Sequence, residues 1–169
     1  MKNIILIGFM GSGKTTIGRS ISKKSGLKYV DLDRMIVKEA GMAVKKIFAL
    51  RGEKAFRDME SKVVAKASRL KGVVVATGGG VINRPVNIRR LKKAGLVVYL
   101  KAPFDEIVRR IRNRDDRPLF DVNDLSSVRK LYNKRGPVYR GAAAFAVNTQ
   151  NDTVAGITNK IIKRAEAGA

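Results

Sequence analysis

The segment Gly8-Phe9-Met10-Gly11-Ser12-Gly13-Lys14-Thr15 has the residue types and spacing of a phosphate-binding loop, with Gly8, Gly13, Lys14 and Thr15 at the invariant positions. Glycines let successive backbone N–H groups turn inward toward an anion. A helix starting at Lys14 adds the positive end of its dipole. Lys14 offers a point charge to the β- and γ-phosphates, and Thr15 offers a hydroxyl to magnesium. The expected ligand is ATP with magnesium. Other groups further along can also do chemistry. Asp31 and Asp33 stand two apart at the end of a short apolar run, where one can cap the next helix and one can hold a metal. Arg57 and Glu60 have the spacing of a helical i,i+3 ion pair, a surface feature when isolated. Gly78-Gly79-Gly80 forms a turn or lets the backbone approach a ligand closely. Arg117 lies in an irregular basic stretch, and Arg135 precedes Gly136-Pro137 near what reads as a helix C-terminus, a favourable place for a cation.

The elements that must position these groups alternate along the chain. Apolar runs at Ile4 to Ile7, Lys28 to Leu32, Val73 to Ala76, Leu96 to Leu100 and Phe145 to Val147 read as strands. Helical patterns fill Lys14 to Ser25, Asp33 to Ala40, Val44 to Leu50, Glu53 to Leu70, Phe104 to Ile111 and Val154 to Ala165, with one more ending at Gly95. Continuous apolar strands separated by helices predict burial on both faces and parallel pairing through right-handed crossovers. The expected architecture is a three-layer α/β fold, with about five parallel strands flanked by helices. The chain of 169 residues fits one domain, 1–169. The irregular stretch Asn113 to Asp124 (113–124) is the expected mobile lid.

Composition narrows the chemistry. Cysteine and histidine are both absent, which excludes disulfides and leaves proton transfer to carboxylates, Lys, Tyr or the substrates. No apolar run reaches membrane-spanning length, and a cytoplasmic location is expected. Lys plus Arg number 36 against 14 Asp plus Glu, a net charge of +22 that favours anionic partners. Nucleic acid is not expected, because no aromatic-rich basic patch or nucleic-acid motif accompanies the charge.

Phosphate loops serve GTPases, ATPases and small kinases, and here GTPase-type base-reading signatures are missing. Taken in order, the phosphate loop, Asp31-Leu32-Asp33, Gly52-Glu53 with Phe56-Arg57 and Glu60, Gly78-Gly79-Gly80, Arg117-Pro118-Leu119 and Arg135-Gly136-Pro137-Val138-Tyr139 resemble the shikimate kinase family over nearly the whole chain. The resemblance implies a phosphate-loop kinase fold and transfer of the γ-phosphoryl group of ATP to the 3-hydroxyl of shikimate. It implies a nucleotide site made by Gly11, Ser12, Gly13, Lys14, Thr15 and Thr16, with Arg110 on the adenine and Arg117 approaching the phosphates from the lid. Asp31 joins Thr15 as the magnesium ligand. Asp33, Arg57, Gly78, Gly79, Gly80 and Arg135 form the shikimate site, with the two arginines on its carboxylate and Glu60 orienting Arg57. Asp33, Lys14 and Arg117 are the implied catalytic residues, and Asp33 either takes the proton of the attacking hydroxyl or orients it. Expected partners are ATP and shikimate, on a monomer.

The resemblance departs at Arg140-Gly141-Ala142-Ala143-Ala144, where acidic residues are usual, and at Thr149 to Asp152, which lacks the basic or Gln residue usual at its end. A gluconate kinase of the same fold is the competing acceptor reading. The paired arginines and the glycine triplet argue against it.

Overall fold

In the computed structural model, β1 (Asn3–Ile7) is buried along its whole length, and its side chains divide between two cores. Ile5 and Ile7 enter one apolar cluster, while Ile4 and Leu6 enter the other. The same alternation holds in β3 (Val73–Ala76) and in β4 (Gly95–Lys101), where Val97 and Tyr99 face one side and Val98 and Leu100 the other. A strand apolar at every position has to be covered on both faces, and helices do so here. The structure describes residues 1–112, 124–150 and 152–167.

With β2 (Lys28–Asp31) and β5 (Phe145–Asn148), the sheet has five strands in the order β2-β3-β1-β4-β5, and every pairing is parallel. Helices α1 (Lys14–Ser25) and α7 (Val154–Ala167) cover one face. The other face packs against α2 (Leu32–Ala40), α3 (Val44–Ala67), α4 (Pro85–Ala94), α5 (Phe104–Ile111) and α6 (Leu125–Ala142). The five-stranded, three-layer α/β expectation is met.

The two helices expected on either side of Gly52 are both present; they join through a kink at Gly52, where φ 76° and ψ 170° are non-helical, and together carry the label α3. Three local differences from the sequence reading have physical causes. Strand β2 ends at Asp31 rather than Leu32, because the Asp31 side chain caps α2 by accepting from the Arg34 N–H. Arg135 is not near a helix end. Helix α6 continues through Gly136 and Pro137 to Ala142, so the C-terminal dipole has no part in placing this cation. Asn3, which the apolar run from Ile4 did not include, is buried at the opposite end of the sheet from the expected site. Its amide donates to the carbonyls of Leu70 (2.7 Å) and Ala94 (3.1 Å), and its carbonyl accepts from the Val73 N–H at 3.1 Å.

The phosphate loop, Asp31, the glycine triplet and Thr149 all follow the carboxyl ends of strands. The order reverses about β1, with β3 on one side and β4 on the other. That crevice is where open α/β sheets hold ligands.

Candidate functional site

The turn from β1 into α1 needs glycine at three places. Gly8, Gly11 and Gly13 have φ of 149°, 75° and 94°. A Cβ at Gly11 would also stand 2.9 Å from the Ile111 side chain. Gly13 is the left-handed N-cap of α1 and supplies no side-chain cap, and the first turn holds no acidic residue. The first N–H groups of α1 are therefore offered to an anion. Ser12 is wholly buried, and its hydroxyl has no hydrogen-bond partner among the described residues. The Lys14 ammonium lies over the loop and donates to the carbonyls of Gly8 and Phe9, both at 2.8 Å. Phosphate oxygens are stronger acceptors for the same donor.

Gly11, Gly13, Lys14, Thr15 and Thr16 line a cleft of about 1520 Å³, together with Asp31, Asp33, Arg110 and Thr149. Asp31 does more than cap α2: its other oxygen accepts the Tyr29 hydroxyl at 3.0 Å. Burial first, and Asp31 second, push the Tyr29 phenol up to about 12, so it stays a proton donor. Gly18 makes room for that ring, since a Cβ there would meet it at 2.8 Å. Arg110 is anchored across the cleft. It donates to the Gly11 carbonyl (3.2 Å), the Thr149 hydroxyl (3.2 Å) and the Thr149 carbonyl (3.0 Å), and to Glu106 at 2.7 Å. Arg117 and the 113–123 part of the expected lid fall outside the described residues.

A second cavity of about 60 Å³ opens beside the first, and Asp33 lines both. The small cavity gathers Arg57, Glu60, Gly78, Gly79, Gly80 and Arg135, residues far apart in the chain, around an apolar wall of Met10, Val44, Phe48 and Phe56. The sequence reading had no signal for that wall beyond hydrophobicity. Arg57 and Glu60 are no surface pair. Both are buried, and the Arg57 Nη1 donates to both Glu60 oxygens at 3.1 and 3.0 Å. Burial pushes the Glu60 carboxyl up, and Arg57 opposes the rise.

The glycine triplet leads into a turn, but none of Gly78, Gly79 and Gly80 has a positive φ, and at Gly78 and Gly80 the requirement is for space. A Cβ at Gly78 would stand 2.7 Å from Asp33 Oδ1 and 3.2 Å from Glu60 Oε1, and one at Gly80 would strike the Arg57 guanidinium. The carbonyl of Gly79 accepts the hydroxyl of Tyr139, a ring buried in α6 and stacked on Tyr99 with centroids 5.2 Å apart. That bond explains why a tyrosine follows Arg135 by one turn. Arg135 is 4% exposed, sits against the Phe9 ring, and its buried Nε has no hydrogen-bond partner among the described residues. Burial pushes its pKa down, the mark of a cation short of solvation. An entering anion would relieve it.

The geometry can therefore hold a phosphate chain on one side of Asp33 and a small carboxylated molecule on the other. The shikimate kinase family matches the chain over residues 10–166. A shikimate kinase of Caldicellulosiruptor bescii is 44% identical over 96% of this chain and 94% of its own length. Among solved structures, a shikimate kinase from Acinetobacter baumannii in complex with shikimate superposes with a TM-score of 0.95 at 34% identity, covering 99% of this chain and 94% of the other. That of Aquifex aeolicus gives a TM-score of 0.85 at 29% identity, over 98% of this chain and 97% of the other. On this match of sequence and fold, the chain belongs to the shikimate kinase family.

Proposed function

We propose that this chain transfers the γ-phosphoryl group of ATP to the 3-hydroxyl of shikimate, giving shikimate 3-phosphate and ADP, on the route through chorismate to the aromatic amino acids. The observation that carries the reading is the position of Asp33, whose side chain lines both the phosphate-loop cleft and the cavity holding the buried Arg57 and Arg135. The nucleotide's phosphates take the loop N–H groups and Lys14. The acceptor's carboxylate takes Arg57 and Arg135, which suits the planar fork of a guanidinium. Its hydroxyl is then directed past Asp33 toward the phosphates. Phosphoryl transfer has a loose transition state, so Asp33 acts chiefly by orienting that hydroxyl and receiving its proton as the bond forms. Lys14 stabilises charge on the transferred group. We assign Arg117 the same task from the lid.

The residues present suit magnesium, which needs only one or two carboxylates beside phosphate and water ligands. Thr15 and Asp31 would hold it, on the cleft that Lys14 also lines. Bound there, the ion neutralises charge on the phosphates. We further assign the chain to the cytoplasm as a monomer of one domain. No helix among the described residues is long and apolar enough to cross a membrane.

The test follows ADP release with ATP and magnesium while shikimate or gluconate is offered in turn. Shikimate stimulates release above the acceptor-free rate and gluconate does not. Failure of shikimate to stimulate overturns the proposal. Asp33→Asn is expected to lose nearly all turnover and to keep ATP affinity. Lost ATP binding would remove Asp33 from the acceptor side.

A further inference from the structure

Glu53 belongs to the Gly52-Glu53 motif, and the reaction just described gives it no task. It contacts Arg57. The Arg57 Nε and Nη2 both donate to the same oxygen, Glu53 Oε1, at 3.2 and 3.0 Å. On the other side, Nη1 is taken by the two oxygens of Glu60. A guanidinium presents two edges to a bidentate carboxylate, the Nε–Nη2 edge and the Nη1–Nη2 edge. Glu53 fills the first, and Glu60 holds one end of the second. The face of the guanidinium is closed by Gly80, where even a Cβ does not fit.

A carboxylate that is to take Arg57 with both oxygens has to displace one of the two glutamates. They differ in their freedom to leave. The Glu60 side chain is 1% exposed, and releasing it would strand a buried charge. The Glu53 side chain is 53% exposed and can exchange Arg57 for water. Glu53 also directly follows Gly52, the only non-helical residue within α3, and the space around Gly52 is open. The exit is sterically clear.

We infer that Glu53 is a stand-in for the acceptor's carboxylate: it occupies the bidentate edge of Arg57 in the empty enzyme and is displaced when the acceptor binds. This rests on the reading that Arg57 receives the acceptor carboxylate. Glu53 is thus a positioning residue that competes with the acceptor's carboxylate for Arg57. It keeps the buried guanidinium paired and oriented between turnovers, and only a ligand with a carboxylate of its own can replace it. A neutral acceptor has no charge to exchange for Glu53 and binds without the Nε–Nη2 edge of Arg57.

The test titrates shikimate and shikimate methyl ester, by calorimetry and without nucleotide, into the wild-type chain and into Glu53→Gln, Asp58→Asn and Arg57→Lys. Asp58 neighbours Arg57 in sequence but pairs with Arg84, so Asp58→Asn removes the same charge without touching the latch. Glu53→Gln is expected to bind shikimate about two- to five-fold more tightly, the range for an ion pair with one exposed partner. Its affinity for the methyl ester should not change. In turnover it lowers KM for shikimate and leaves kcat as it was, a split that a loosened fold would not give. Asp58→Asn should match wild type for both ligands. Arg57→Lys keeps the charge paired with Glu60 and should weaken shikimate binding at least about ten-fold, by loss of the fork. If Arg57→Lys binds shikimate like wild type, the acceptor assignment falls and the latch with it. If Arg57→Lys is weakened but Glu53→Gln binds shikimate no more tightly than wild type, the latch alone is wrong. A gain in Glu53→Gln that Asp58→Asn reproduces, or that extends to the methyl ester, also overturns it.

Discussion

Replacing Gly80 by alanine tests the acceptor cavity with one methyl group. Gly80 has φ −93° and ψ 3°, a backbone that an L residue adopts at little cost, so no backbone strain confuses the result. The new Cβ would stand 2.5 Å from the Arg57 Cζ. Carbon atoms settle at about 3.5–4.0 Å, so the guanidinium must retreat by roughly 1 Å or more. Such a shift stretches the 3.0 and 3.1 Å bonds to Glu60 beyond hydrogen-bonding range, at a carboxylate with almost no access to water. Overpacking of this kind costs about 1–3 kcal/mol. For a chain of this size each kcal/mol lowers Tm by about 2–4 °C, so a fall of about 2–12 °C is expected. The larger effect is on the acceptor. A hydrogen bond to a charged group contributes about 1.5–3 kcal/mol, so a displaced Arg57 raises the shikimate KM about ten- to hundred-fold. The ATP KM should not move, because the atoms nearest the new methyl belong to Arg57 and not to the phosphate loop. Steady-state ADP release with each substrate varied in turn reads both constants, and a thermal melt reads stability. An unchanged shikimate KM in Gly80→Ala would refute the claim that Arg57, seated against Gly80, binds the acceptor.

Two further outcomes follow from the structure. Glu106 accepts from both Arg109 and Arg110, and the Arg109 bond first, then Arg110, holds its carboxyl down at about 2. A depressed pKa means that this stabilisation is complete above the ordinary carboxylate value and is lost progressively as pH falls from there to about 2. Carboxyl carbon shifts of Glu106 should therefore titrate with a midpoint near 2, and a midpoint above about 4 would mean that Glu106 is not held between Arg109 and Arg110. Gly136 and Gly52 should respond oppositely to alanine. Gly136 lies inside α6 with open space and no positive φ, so Gly136→Ala stabilises by about 0.5–1 kcal/mol. Gly52 has φ 76° and ψ 170°, a region nearly closed to L side chains, so Gly52→Ala costs about 1–3 kcal/mol although the space is equally open. Denaturant melts of both variants check the pair, and equal shifts would refute the argument.

Much of the fold was legible in the sequence. The strand Val73–Ala76 and the run Ile4 to Ile7 announce themselves because burial on both faces demands unbroken apolar runs, and α1 is bounded by Gly13 and Gly26 because both need left-handed backbone. The phosphate loop is local: its donors, its lysine and its helix all come from neighbouring residues, and local chemistry is what a sequence displays. Other features depend on distance. No spacing rule says that Gly78 stands in a gap between Asp33 and Glu60, or that Tyr139 reaches the Gly79 carbonyl from another helix. Nor does an i,i+3 pattern reveal that Arg57 and Glu60 are buried; that follows only from α3 packing against the turn after β3. Arg135 was legible as a residue but not in its state, since the burial that defines it comes from packing α6 against elements far away in the chain, among them the Phe9 ring. The phosphate-binding half of the site was thus written in consecutive residues, where backbone geometry alone brings the donors together. The cavity proposed for the acceptor exists only after the fold carries Asp33, Gly78 and the two arginines to one end of the sheet, because burial is a property of the assembled fold.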